Sequence, residues 1–142
     1  MIVPADPVIT ANTRFYRALA NADLVLMADL WLQSDEASSV HPGWPILEGW
    51  EMVRASWESI FQSQGAFRVW PSDLVVHVEG VTAWVTCIEN IDPSRELTDV
   101  LIQTQATNIF RLVGDEWKMI HHHASPLPRG SGAVDDSGIS PN

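Results

Sequence analysis

The chain has 142 residues, 46% of them hydrophobic and 18% charged, which is one domain's worth and enough to bury roughly two thirds of its extended surface in one core. Its formal net charge is −10, and Lys118 is the single lysine. So acidic a surface repels phosphate backbones and anionic lipid, which excludes nucleic acids and membrane surfaces as expected partners.

Residues 1–7 read as an N-terminal arm with neither the basic segment nor the apolar run of a signal peptide. Asp6-Pro7 has the chemistry of a helix start: aspartate to cap free amides, proline for the first helical position. Val8, Phe15 and Leu19, with Ile9 beside them, then form an apolar stripe at helical spacing. Asn21-Ala22-Asp23 interrupts and caps a second helix with Leu24, Met27, Leu30 and Trp31 on its buried face. The longest apolar run, Leu24 to Leu32, is broken by Asp29 and falls short of the ~20 residues that span a bilayer, so a cytoplasmic protein is expected. Ala37 to His41 predicts a brief strand that leads into Pro42-Gly43-Trp44-Pro45, where two prolines fix a rigid turn around Trp44. Trp50, Val53, Trp57 and Ile60, with Phe61, give the longest helix, ending at Gly65.

After Gly65 the period changes from helical to alternating. A strand starts at Phe67 and is broken or bulged at Pro71; beyond it Leu74, Val76 and Val78 share one face, opposite Asp73, His77 and Glu79. Val81 to Ile91 places Ala83, Val85, Cys87 and Glu89 together. Asp92 to Arg95 predicts a loop, and a long strand from Leu97 to Leu112 follows. Gly114-Asp115 then turns the chain into a last strand, Glu116 to Pro126, which carries His121, His122 and His123. An unbroken register sets Leu112 opposite Trp117, Phe110 opposite Met119, Asn108 opposite His121 and Ala106 opposite His123, so that one face grades from apolar to polar. Residues 129–142, rich in Gly, Ser, Asp and Pro, predict a disordered acidic tail. Helices followed by an antiparallel meander indicate an α+β fold with the helices on one face of a curved sheet. Ile109 and Ile120 make the other face partly apolar, and a second copy of the chain is the economical cover for it.

Together with this order of elements, three stretches carry a family resemblance: Val40-His41-Pro42-Gly43-Trp44-Pro45, Ala106-Thr107-Asn108-Ile109-Phe110-Arg111, and Trp117 through Pro126. They resemble the SnoaL-like group of the nuclear transport factor 2-like superfamily, nearest to bacterial relatives of the calcium/calmodulin-dependent kinase association domain. The resemblance covers about residues 8–128. It implies a cone-shaped α+β barrel of the cystatin-like type, usually dimeric, with a pocket between the helices and the concave sheet. The superfamily holds isomerases, dehydratases, cyclases and epoxide hydrolases beside pure association domains, so fold does not fix activity. Tyr16, the only tyrosine, lies on the first helix, which departs from the pocket tyrosine of ketosteroid isomerases. Glu89 and Arg111 do not reproduce the Asp-Arg-Asp arrangement of epoxide hydrolases.

Two chemical roles compete for the histidines. His121 and His123, two apart on a strand, can reach one metal ion, with His41 as a third ligand, but no acidic or cysteine ligand stands at a recognisable spacing, so no metal or cofactor is expected. General acid and base work suits the same pair, with Glu89 orienting or charging one ring. The structural alternative is a set of hydrogen-bonded histidines closing the polar end of the barrel. Asn108 can hold either a ligand carbonyl or an imidazole, and Trp44, Trp57 and Trp117 serve as pocket walls or as core. Cys87, the only cysteine, cannot form an internal disulfide and has no basic neighbour to activate it. Two functions follow: a small-molecule pocket with His41, Glu89, Asn108, His121 and His123 at its polar end, or a homo-oligomeric association module filled by its own side chains.

Overall fold

Proline, aspartate and glycine set the helix boundaries. The computed structural model describes residues 5–92 and 101–128. Helix α1 spans Asp6–Asn21, with Pro7 in its first turn, where a missing amide costs nothing. Ala5 takes the cap position in place of the expected Asp6, whose carboxylate instead sits within the first turn at the positive end of the helix. Asp23 does cap α2 (Leu24–Leu30), accepting from the Leu26 amide at 3.0 Å. Helix α3 (Trp50–Gln64) stops at Gly65, whose φ of 64° disfavours any side chain and whose amide donates to the Phe61 carbonyl.

Among the described residues, six strands form one sheet in the order β2-β1-β6-β5-β4-β3, namely β1 (Ser38–Val40), β2 (Leu47–Glu48), β3 (Arg68–Glu79), β4 (Thr82–Asp92), β5 (Ile102–Val113) and β6 (Glu116–Pro126). Every neighbouring pair is antiparallel except β1, which runs parallel to β6. The fold is therefore α+β, with the three helices of the described residues packed on a mostly antiparallel sheet. No helix among the described residues is long and apolar enough to cross a membrane. The expected tail, most of the N-terminal arm, the loop after Asp92 and the first residues of the strand placed at Leu97 lie outside the described residues.

Two irregularities bend the sheet. In β3, a strand at the sheet edge where Pro71 is tolerated, the register shifts between Ser72 and Val75, and Asp73 adopts a φ of 54°. Leu74 thereby leaves the alternation expected of it and is exposed, whereas Val76 and Val78 still face the core opposite Val85 and Ala83. In β6 the pairing runs Leu112 to Trp117 and Phe110 to Met119, then skips Ile120, so that Ile109 meets His121, Asn108 meets His122 and Ala106 meets Ala124. The unbroken register expected from the sequence holds only up to Met119. One extra residue turns every later side chain of β6 to the opposite face.

The bulge lies where two segments succeed each other along β6. The Leu32 amide donates to the Met119 carbonyl at 2.9 Å, and beyond the bulge Ser38, Ser39 and Val40 pair with His121, His122 and His123. The inner face does grade from apolar to polar. Phe110, Met119 and Trp117 pack with Val8, Met27, Leu30 and Trp31 at one end, while Glu89, Thr104, Asn108 and His122 are buried toward the other. On the outer face Trp84, Ile88, Ile109 and Ile120 are half-buried, with His77 stacked on Trp84 at 5.1 Å.

Candidate functional site

Helix α1 brings a polar strip onto the sheet. Asn12 and Tyr16 fall four residues apart, on the same side as Val8, and all three are buried. The Tyr16 hydroxyl donates to Glu89 Oε2 at 2.8 Å, and the Thr104 hydroxyl donates to Glu89 Oε1 at 2.6 Å. Asn108 Nδ2 donates to Asn12 Oδ1 at 2.9 Å and to the Tyr16 oxygen at 3.1 Å. With its amide group so used, Asn108 offers its Oδ1 to His122 Nδ1, 2.6 Å away, and the imidazole must be the donor there. His122 Nε2 is then the bare, basic nitrogen, and it lies 3.8 Å from Glu89 Oε2.

A second histidine is fixed by the same logic. The Ser56 hydroxyl gives its proton to the Val53 carbonyl at 2.6 Å, so it must accept from His41 Nε2, 2.8 Å away. That assigns the proton of neutral His41 to Nε2 and leaves Nδ1 as an acceptor.

Burial governs the charge of these groups. It pushes His41 down to about 4 and His122 well below the usual histidine range, the latter helped by the neighbouring histidines. Burial also drives Glu89 upward, against the lowering effect of its bonds from Thr104 and Tyr16. The Tyr16 hydroxyl is raised well above its ordinary value by burial and by the nearby Glu89, and burial pushes the Cys87 thiol up to about 11, far from a nucleophile at neutral pH. Acid and bases are thus displaced toward one another, with a reluctant carboxylate beside imidazoles that resist protonation.

These groups sit at the edge of an open cavity of about 610 Å³ lined by His41, Trp44, Trp57, Glu89 and His122, together with apolar side chains such as Leu19, Ile60, Phe67, Ile91 and Ile102. His41, Trp44, Trp57 and Glu89 therefore meet as the sequence reading grouped them. Trp44, 42% exposed, stands beside His41 with 4.9 Å between ring centroids.

The remaining candidates do not meet there. His121 and His123, taken as the inward pair, lie on the outer face, their ring centroids 5.8 Å apart; His121 bonds Ser38 Oγ through Nδ1 at 2.7 Å and His123 is exposed. The bulge at Ile120 is the cause, and His122 takes the place assigned to them. Asn108 does not line the cavity but holds His122 from behind. Trp117 lines a separate hollow of about 410 Å³, near Asp6 and Lys118 at the other end of the sheet. Among the described residues, no group of three or more His, Cys, Asp or Glu side chains is placed to hold a metal ion. Tyr16, set aside in the sequence because it lies on the first helix, is central to the network. Its signal was the placement of Asn12 and Tyr16 on the apolar side of an amphipathic helix, where polar side chains need buried partners.

The SnoaL-like domain family matches residues 8–129 of this chain. A candidate dehydratase of the nuclear transport factor 2-like family from Streptomyces avermitilis is 36% identical, with a TM-score of 0.79 over 87% of this chain and 96% of that one. A candidate calcium/calmodulin-dependent protein kinase type II association domain from Thiobacillus denitrificans is 29% identical, with a TM-score of 0.76 over 84% and 94% of the two chains. The F-box protein SKIP8 of Arabidopsis thaliana is 29% identical over 122 residues, 84% of this chain, which spans about half the length of that relative at 49%. The match over residues 8–129 and these likenesses together place the chain in the SnoaL-like domain family, within the nuclear transport factor 2-like superfamily.

Proposed function

We propose that the protein binds a small, partly apolar molecule in the 610 Å³ cavity and moves a proton on it, in a reaction of the isomerase or dehydratase type. The observation that carries this reading is the bare Nε2 of His122, held 3.8 Å from Glu89 Oε2 at the cavity by the Asn108 bond on Nδ1. A base whose tautomer is fixed, next to a carboxyl group that burial keeps ready to hold a proton, is an acid and base pair needing no rearrangement before reaction. His122 takes a proton from carbon, Glu89 in its acid form supplies one to the departing or rearranged oxygen, and Tyr16 and Thr104 stabilise the carboxylate that results. His41, with Nδ1 free, is the second base at the site. The dehydratase description of the Streptomyces avermitilis relative supports the same class.

The test is hydrogen exchange at carbon. Small carbonyl compounds incubated with the protein in heavy water are expected to gain deuterium beside the carbonyl faster than in buffer, and His122→Asn and Glu89→Gln are expected to remove the gain. Exchange at the buffer rate across the panel would sink the catalytic reading.

A non-catalytic association module is the second reading, supported by the Thiobacillus denitrificans relative described as an association domain. Both readings include a homodimer through the outer sheet face, where Trp84, Ile88, Ile109 and Ile120 are half-buried and available to a second copy. A sedimentation mass of one chain at micromolar concentration would contradict the dimer.

A further inference from the structure

Around the Tyr16 hydroxyl oxygen stand Glu89 Oε2 at 2.8 Å, Asn108 Nδ2 at 3.1 Å and Cys87 Sγ at 3.3 Å. Tyr16, Cys87, Glu89 and Asn108 are all buried, and Cys87 and Glu89 share the inward face of β4, two residues apart. Asn108 is a donor to this oxygen, so the phenol must place its own hydrogen on either the carboxyl oxygen or the sulfur. Burial pushes the Cys87 thiol up to about 11 and raises the Tyr16 hydroxyl well above its ordinary value, so both keep their hydrogens at neutral pH. Between sulfur and phenol, either atom can donate. The state of Glu89 then decides which one does.

We infer that Cys87 is a positioning residue for the acid Glu89: its sulfur accepts the Tyr16 hydroxyl while Glu89 Oε2 holds a proton, and gives it up when that proton leaves. This rests on the acid and base reading of the site and adds to it the group that keeps the acid form fully bonded. With Glu89 ionised, Tyr16 donates to Oε2 and the thiol donates to the phenol oxygen. With Oε2 protonated, two hydrogens cannot share the 2.8 Å line between the oxygens, so the carboxyl donates, Tyr16 turns toward Sγ, and the S–H is released. The Tyr16 hydrogen stays on its own oxygen throughout, and both acceptors already lie within reach of one rotating hydroxyl. Thr104 donates to Oε1 at 2.6 Å, which leaves Oε2 as the oxygen to carry the proton, and Oε2 is also the one 3.8 Å from His122 Nε2. Among the described residues, the titratable groups around Glu89 are Tyr16 from α1, Cys87 on its own strand and His122 from β6, the last held neutral by burial.

Cys87 is the only cysteine, so its S–H stretch is an isolated infrared band in the whole, unaltered protein. A thiol that donates absorbs at lower frequency than a free one. The S–H band is therefore expected to rise in frequency as pH falls, with the same midpoint as the carboxyl C=O band that Glu89→Gln removes. In Glu89→Gln the amide N–H replaces the carboxyl proton toward Tyr16, and the S–H band is expected to stay at its acid position at every pH. Cys87→Ala is expected to lower the midpoint of the Glu89 band, because the acid form loses the acceptor for Tyr16, and Cys87→Ser to raise it again. An S–H band that stays still while the Glu89 band titrates would overturn the inference. So would a Glu89 band that does not titrate between about pH 5 and 9, or an unchanged midpoint in Cys87→Ala. A charge from outside the described residues would displace both midpoints together and leave their coincidence intact. No substrate enters these measurements, so their failure leaves the deuterium test standing, whereas coupled bands without deuterium exchange would keep the hydrogen-bond switch and sink the catalytic reading.

Discussion

The two ends of the inner sheet face share strands and alternation but are finished in opposite ways. At one end Phe110 and Met119 are fully buried under Val8, Met27, Leu30 and Trp31, and the helices close on them. At the other, Glu89, Asn108 and His122 are as deeply buried, yet a cavity of about 610 Å³ remains above them. Apolar side chains can interdigitate until no void is left. Polar ones must first satisfy donors and acceptors in fixed directions, which sets their positions by bonding and not by packing. The closed end supplies the cohesion that lets the open end keep groups in charge states that weaken the fold.

The largest effect is expected at the closed end. Phe110→Ala removes a fully buried ring from the contact between sheet and helices and is expected to cost about 3–5 kcal/mol, read from the denaturant midpoint. A loss below about 1 kcal/mol would mean that this end is not the stabilising half.

The next effect belongs to the open end and depends on pH. His41 has a folded pKa of about 4 against an ordinary value of 6.5, so below pH 6.5 the unfolded chain takes up a proton that the folded chain refuses. Stability therefore falls as pH drops from 6.5 toward 4, by about 3 kcal/mol from His41 alone. His122, displaced in the same direction, adds to the loss. Glu89 works the other way: its raised pKa means that the folded state holds a proton the unfolded chain has released, so its contribution weakens as pH climbs from 4.5 through the raised value. Melting temperatures measured between pH 4 and 7 for the unaltered protein and His41→Gln check this, since the variant should show the shallower acid limb. Parallel limbs would remove the argument.

The smallest effect is the sharpest test of which histidine matters. His123 is exposed on the outer face, and His123→Ala is expected to change stability by no more than about 0.5 kcal/mol and to leave deuterium exchange untouched. His122→Ala should abolish that exchange. If His123→Ala abolished it instead, the inward assignment of His122 would be wrong.

Much of this was legible beforehand, and the failures have local causes. The helices were readable because Val8, Phe15 and Leu19 or Val53, Trp57 and Phe61 repeat at helical spacing and Gly65 ends the last of them. The inward row Ala83, Val85, Cys87 and Glu89 was readable because β4 pairs with β5 without interruption. In β6 the same rule placed Trp117 and Met119 correctly and then chose the wrong histidines. Three identical residues in a row hide a change of phase, and a bulge depends on what pairs from both sides. Tyr16 was missed for a different reason. Its partners, Cys87, Glu89 and Asn108, are more than 70 residues away in the chain, so only the packing of α1 across the sheet joins them.

Ile120 can also be considered as an insertion. Excising it would leave Met119 followed by His121, His122, His123 and Ala124, and simple alternation of that shortened strand would again send His122 and Ala124 inward beside Asn108 and Ala106. The facing of the site therefore survives loss of the extra residue, and what would be lost is the local kink at the point where Leu32 gives way to Ser38 along the same edge. Aim and irregularity are thus separable in one strand: pairing of His122 with Asn108 keeps that ring inward with or without the extra residue, and the extra residue adds the bulge.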